Sequence, residues 1–364
     1  MKPASIFLFG CLIFLPGKKL LSQDTAIDSI RFAGEKHFRN IRQLTFGGDN
    51  AEAYWSYDGK YIIFQRTNPR EGLLCDQIFI GKVPESPGEP FVYRRISSGK
   101  GRTTCAYFLP DGKHIIYAST VQGGDSCPPL PDRSKYGNKY IWPVYDSYDI
   151  YMAEIATGKI VKQLTHAKGY DAEATLSPDG RKMIYCSDKD GDLDLYVMEL
   201  ATGKEKKLTH TLGYDGGAWF SPDGKKIVWR ASRPKTPAEI KEYKDLLADG
   251  LVAPTHMEVW VADADGRHAR QITFLEQANW APNFTPDGKH IIFCSNHEYK
   301  RGFPFNMYLT DIHGKGLEKI SRDKGFDAFP MFSPDGRKIL FSSNRNNGGT
   351  HDTNLFLADW VENP

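Results

Sequence analysis

Charge of one sign is what this 364-residue chain lacks most plainly: 47 lysines and arginines stand against 45 aspartates and glutamates. Without a basic surplus there is no footprint for a polyanion, so nucleic acid is not an expected partner. Long apolar runs are missing as well. The run at 6–15 is interrupted by Gly10 and Cys11 and is too short to cross a bilayer core, so no stable membrane span is expected. Cysteine is scarce, six in all, and no spacing matches a zinc site. What is present is an ordinary hydrophobic share of 40%, which excludes wholesale disorder, and abundant Tyr and Phe, which favour strands.

The first 22 residues read as an export signal. Lys2 precedes the apolar core, Pro16-Gly17-Lys18-Lys19 ends it, and Ser22 offers a small residue for cleavage. A periplasmic or secreted location follows. A lipid anchor at Cys11 is the alternative, opposed by bulky Phe9 beside Gly10. Cleavage leaves 44 basic and 45 acidic residues, and five cysteines. Cys186 and Cys294 sit in apolar runs and read as buried thiols. Cys75, Cys105 and Cys127 lie closer together, and one pair of the three suits a disulfide in an oxidising compartment.

Internal repetition sets the architecture. A turn phrase recurs as Ser56-Tyr57-Asp58-Gly59-Lys60, Leu109-Pro110-Asp111-Gly112-Lys113 and Ser177-Pro178-Asp179-Gly180-Arg181. It returns as Ser221-Pro222-Asp223-Gly224-Lys225, Thr285-Pro286-Asp287-Gly288-Lys289 and Ser333-Pro334-Asp335-Gly336-Arg337. Each phrase joins two β-prone runs, and Pro-Asp-Gly supplies the fixed φ and the left-handed residue of a hairpin. A third strand such as Asp194–Met198 follows, then a short one ending in a hydroxyl, as in Leu164-Thr165, Leu208-Thr209 or Ile320-Ser321. Four antiparallel strands in about 45 residues make a propeller blade. One such short strand, Gln43-Leu44-Thr45, precedes the first phrase, and the last unit lacks its own. The expectation is an all-β, six-bladed β-propeller over 39–364, with a lead segment at 23–38. Its N-terminal strand closes the last blade and removes the open edge.

These phrases, together with the Leu-Thr strands, resemble the WD-like propeller repeats of the TolB family over roughly residues 39–360. The resemblance implies the fold and leaves function open, since such propellers serve as adaptors, enzyme scaffolds and gates. The α/β domain that precedes the propeller in TolB itself is not expected, because only about 17 residues separate Ser22 from Asn40. Related propellers also precede the catalytic domain of prolyl oligopeptidase-like hydrolases, but the chain has no Gly-x-Ser-x-Gly elbow.

The spacings between turn aspartates, 53, 68, 44, 64 and 48 residues, place two insertions opposite the uniform Pro-Asp-Gly face. Residues 120–147 carry Cys127-Pro128-Pro129, Tyr136, Tyr140, Trp142 and Tyr145, rings that either pack on their own blade or bind a partner. Residues 233–256 hold a short helix opened by the capping box Thr236-Pro237-Ala238-Glu239. Its stripe of Ile240, Tyr243, Leu246 and Leu247 docks it to the rim, where it can narrow the entrance. Eight residues before each turn aspartate stand Asn50, Thr103, Asp171, Asp215, Asn279 and Asp327, with Glu52 and Glu173 two residues on. Their equivalence suggests a ring at the channel mouth, negative enough to favour a cation or a basic group. The same side chains can instead bond backbone amides and fasten neighbouring blades.

His166, His210, His256, His297 and His351 gather on this side. With the carboxylates they would compose a metal or acid/base site if they converge. Arg301, in the loop Asn296–Pro304, and Arg345 one blade on would suit a carboxylate or sugar. Asp188–Asp194 only superficially resembles a calcium loop, because Gly191 is fourth rather than sixth; a hairpin is expected. The leading reading is an exported adaptor or scaffold of the cell envelope binding a protein or peptide ligand through Asp171, Asp215, Asp327, Glu173, Trp142, Arg301, Arg345, His297 and His351. No cofactor is expected, and a divalent cation is the ion such a mouth would accept. The alternatives are a hydrolase or lyase acting on polymers through a metal or acid/base site on that face, and an accessory subunit of a peptidase.

Overall fold

The structure is a computed structural model that describes residues 30–132, 134–300, 302–362 and 364. The expected signal segment, Cys11 and Arg301 lie outside the described residues.

Local chemistry repeats from blade to blade. At Ser177 the hydroxyl donates to Asp179 (2.6 Å) and accepts from the Lys182 amide (2.9 Å), while Gly180 takes φ 66°. The same bonds recur at Ser56, Ser221, Thr285 and Ser333. Leu109 has no hydroxyl, and His114 meets Asp111 there instead (2.6 Å). The hydroxyl closing each fourth strand has an equally definite task. Thr209 accepts from the Leu195 amide and donates to Asp194, both at 2.9 Å. Ser97, Thr165, Thr273, Ser321 and Thr45 accept from the equivalent amides. The motif is a polar clamp between third and fourth strands, in an interior where an unpaired amide would cost about 1–3 kcal/mol.

Six antiparallel four-stranded sheets result among the described residues. Their second strands, such as Lys182–Ser187 and Lys338–Ser343, are buried on both faces and read as unbroken apolar runs. Blade faces interlock around clusters such as Ile184, Leu195, Ala218, Phe220 and Trp229. Each large aliphatic or phenylalanine side chain among them, removed from water, contributes about 1.5–3 kcal/mol. The ring closes as its chain ends pair: Phe38–Gln43 is the outer strand of the last blade, with Phe38 opposite Trp360 and Gln43 opposite Phe356. Phe38 is fully buried there and stacks on Phe341 at 5.4 Å.

Both insertions emerge between second and third strands, and they meet. Trp142–Pro143 pairs antiparallel with Leu251–Val252, a two-stranded ribbon joining blade 2 to blade 4 across blade 3. The helix Pro237–Ala248, the one α-helix among the described residues, begins with both bonds of the capping box in place. Its Tyr243 hydroxyl donates to Asp192 of blade 3 (2.5 Å), and Leu246 packs with Ile141 and Leu251. Asp249, just beyond it, receives Lys135 and Tyr136 of the other insertion at 2.9 and 2.6 Å. A disulfide between Cys75 and Cys127 ties that insertion back to blade 1, leaving Cys105, Cys186 and Cys294 as thiols.

Candidate functional site

The axial channel is built by the inner strands, and each is bulged at the same point. The bulge puts Glu52, Cys105, Glu173, Gly217, Ala281 and Phe329 in the left-handed region, with φ from 48° to 61°. Five of these are not glycine, a conformation that costs energy and persists because the ladders on either side enforce it. They line a narrow chamber of about 30 Å³ with Arg230, room for a water molecule or two. Below it, Tyr54, Tyr107 and Trp219 plug the channel, the indole meeting the two phenols edge-on at 4.9 and 5.1 Å.

Arg230 organises the chamber. It donates to Glu173 (2.7 Å) and to the Tyr214 hydroxyl (2.8 Å), and lies over the ring of Trp142 at 5.3 Å. Burial opposes its charge, but Tyr214, Glu173 and Glu52 outweigh that and hold its pKa above the ordinary range. Burial pushes the Glu52 carboxyl up, against a hydrogen bond from Cys105. The Cys105 thiol is driven well above its usual range by burial and then by Glu52, so it is not a ready nucleophile. A charged residue inside the apolar run Ile227-Val228-Trp229-Arg230 was the available signal for this arginine.

A much larger groove, about 1160 Å³, runs along the loop-rich face. One wall is the helix, with Glu242 and Tyr243, joined by Lys139 and Tyr140 of the blade 2 insertion. The opposite wall is Phe274 and Glu276 with Lys300, Phe303 and Phe305. Trp280 lies between, 4.4 Å from Phe305, 5.1 Å from Trp142 and 6.0 Å from Tyr140. Phe274 is 75% exposed, Phe303 63% and Tyr140 53%. Hydrocarbon rings in water around one concavity mark an interaction surface. The loop Asn296–Pro304 was legible as chemically rich, whereas Trp280 and Phe274 stand in a strand and a linker whose sequence gives no such sign.

Other anticipated residues are placed differently. Asn50, Thr103, Asp171, Asp215, Asn279 and Asp327 are at most 1% exposed, so they form no open mouth. They fasten blades: Asn50 donates to Thr353 O (3.0 Å), Thr103 to Asp76 O (3.1 Å) and Asn279 to Met257 O (2.8 Å). Asp215 accepts from Arg233 (2.6 Å) and Trp229 (2.6 Å), yet burial still raises it to about 7. Burial likewise raises Asp171 to about 6. Arg345 is not open to a ligand. It is 3% exposed, clamped between Asp327 and Glu35 at 2.9 Å each, with Phe341 and Phe32 rings at 5.0 Å.

His297 touches Ser295 and leans on Tyr308, 4.6 Å between rings, and burial lowers its pKa. His351 is exposed in blade 6, and His256 meets the Glu276 carbonyl (2.6 Å). The histidines therefore do not converge, and no group of three His, Cys, Asp or Glu able to hold a metal occurs among the described residues. Of the anticipated set, Asp327 and Arg345 are joined directly in a buried clamp, and Glu173 and Trp142 are brought together through Arg230. In the hairpin 188–194, Asp188 caps the Tyr170 amide, Asp190 takes the Tyr196 hydroxyl and Asp194 serves the Thr209 clamp.

Taken together, the twofold-ended ring, plugged axis and ribbon-bridged rim define a closed six-bladed β-propeller with a lateral groove. Residues 131–242 and 251–351, more than half of the chain, match the TolB beta propeller domain. The chain belongs to the TolB β-propeller family. It is 31% identical over 197 residues to the Tol-Pal system protein TolB of Francisella tularensis subsp. tularensis, a match spanning 52% of this chain and 39% of that protein. The match thus covers less than half the length of such curated relatives. Among solved structures, a putative TolB from Agrobacterium tumefaciens superposes with TM-score 0.56 at 18% identity, over 89% of this chain and 97% of that one. An oligogalacturonate lyase from Vibrio parahaemolyticus does so with TM-score 0.51 at 13% identity, over 88% and 94%. At those identities the likeness is one of fold. No helix among the described residues is long and apolar enough to cross a membrane.

Proposed function

We propose that this protein is an exported TolB-family propeller that holds a segment of another protein in the aromatic groove of its loop-rich face, as an adaptor in the cell envelope. The observation that carries the reading is the groove itself, with Phe274, Phe303 and Tyr140 exposed around it and Trp280 beneath. Its volume exceeds the 300–1,000 Å³ or so of a small-molecule pocket, and aromatic anchors dominate protein interfaces. Export is supported by the charged and apolar start of the sequence and by the Cys75–Cys127 disulfide, a bond at home in an oxidising compartment. A curated relative is named for the Tol-Pal system, which agrees with an envelope role. The Pro-Asp-Gly face, by contrast, offers six near-identical tight turns.

Selection of phage-displayed dodecapeptides on the wild-type protein tests this. Peptides should be enriched whose binding falls at least tenfold on the double variant Phe274→Asp/Phe303→Asp. Both side chains are mostly in solvent, so the variant should keep its fold. Absence of enrichment, or equal binding to the variant, would refute the reading.

A further inference from the structure

The lining of the groove selects for more than apolar character. Four carboxylates border it, and three are already committed within the chain. Glu242 is paired with Lys139 at 2.5 Å. Glu239 takes the Lys235 and Thr236 amides at 2.7 and 3.0 Å, as the capping box requires. Glu258 receives the Thr273 hydroxyl at 2.5 Å and the amides of Leu275 and Glu276 at 2.7 and 2.8 Å. The cations divide the other way. Arg233 is spent on Asp215, and Lys139 on Glu242, but Lys235 and Lys300 line the groove and make no ion pair among the described residues. Against them stands Glu276 alone.

We infer that the occupant of this groove is an acidic protein segment, one that seats aromatic or aliphatic side chains on Phe274, Phe303 and Trp280 and sets carboxylates against Lys235 and Lys300. The inference rests on the groove reading given above and adds the chemistry of the partner. Uncommitted lysines on the wall of an apolar groove reward an opposite charge, and they penalise a like one during approach and seating. A negatively charged glycan shares the carboxylates but not the rest. It brings no aromatic or aliphatic side chains to seat on Phe274 and Phe303, which are the most exposed rings at the rim.

The dodecapeptide library provides the probe. Clones enriched on the wild-type protein should carry more Asp and Glu than the unselected library, beside Phe, Leu or Trp. Replacing those acids by Lys in synthetic copies should weaken binding at least tenfold, and raising salt from 50 to 300 mM should weaken the acidic peptides alone. On the double variant Lys235→Glu/Lys300→Glu the preference should reverse toward basic peptides. Enriched clones without acidic bias, or an unchanged preference on that variant, would overturn the inference and leave the groove reading standing. Failure to enrich anything overturns both. A galacturonate trimer that displaces the peptides from the wild type but not from the lysine variant would assign the lysines to a glycan and overturn the inference.

Discussion

Removing the Arg345 side chain should cost stability and leave ligand binding alone. Its side chain is 1% exposed, and the guanidinium lies between two carboxylates whose side chains are fully out of water, Glu35 of the lead segment and Asp327 of the last inner strand. Arg345→Ala leaves those acids facing one another with no cation. Breaking a buried ion pair from one side costs about 3–5 kcal/mol, because the abandoned charge remains buried. At about 2–4 °C per kcal/mol for a chain of 150–250 residues, and somewhat less for a longer one, the melting temperature should drop by roughly 5–10 °C.

The pH dependence carries a sign. Burial already holds Glu35 above the usual carboxylate range, with Arg345 as the largest opposing influence. An acid raised in the folded state favours folding most below its unfolded value and loses that contribution as pH rises through its folded value. Without Arg345 the rise must be larger, so the deficit of the variant should be smaller at pH 5 than at pH 8. Adding Glu35→Gln and Asp327→Asn should restore part of the loss at pH 8. Calorimetry at both pH values reads all of this. A melting temperature unchanged within 1 °C, or lost peptide binding at unchanged stability, would refute the assignment of Arg345 to the seam.

Three further outcomes follow from other contacts. Asp171 is raised to about 6 by burial, so its contribution to stability should decline as pH rises from 4 through 6, and Asp171→Asn should be more stable than wild type in urea at pH 8 by about 1–3 kcal/mol, with the two converging near pH 4. Thr209→Val removes the clamp on the Leu195 amide and Asp194; urea denaturation should show a loss of about 1–3 kcal/mol. Reducing Cys75–Cys127, whose ends are 52 residues apart, releases a loop closure worth about 4 kcal/mol in the chain-entropy picture. Hydrogen exchange should then quicken around residues 121–134 while the clamped blades 3 to 5 stay protected.

The fold was legible because its information is local and repeated. Six Asp-Gly turns, five of them led by proline, and six terminal hydroxyls recur at fixed places, and the extra hydroxyl strand before the first turn announced the seam. The polar ring was misplaced for an equally definite reason. In a regular strand Asp171 and Glu173 share a face, but the bulge between Ala172 and Thr175, with Glu173 at φ 59°, breaks the alternation. Glu173 therefore turns into the channel while Asp171 is left between blades. Charge balance across the repeats could have shown this: Asp215 and Asp327 are each followed 18 residues later by the arginine that binds them, and Asp171 has Lys189 at that spacing, whereas Asn50 and Asn279 have Asn68 and His297 there. The groove was beyond sequence reasoning because its walls come from blades 2, 4 and 5, joined by a ribbon of two residues a side.

The most direct test of the account is a hydrogen-exchange footprint of a selected peptide on the wild-type protein. Protection should fall on residues 138–142, 239–246, 274–280 and 302–305, leaving the six Asp-Gly turns unaffected. Protection centred on those turns, or spread evenly around the ring, would contradict it.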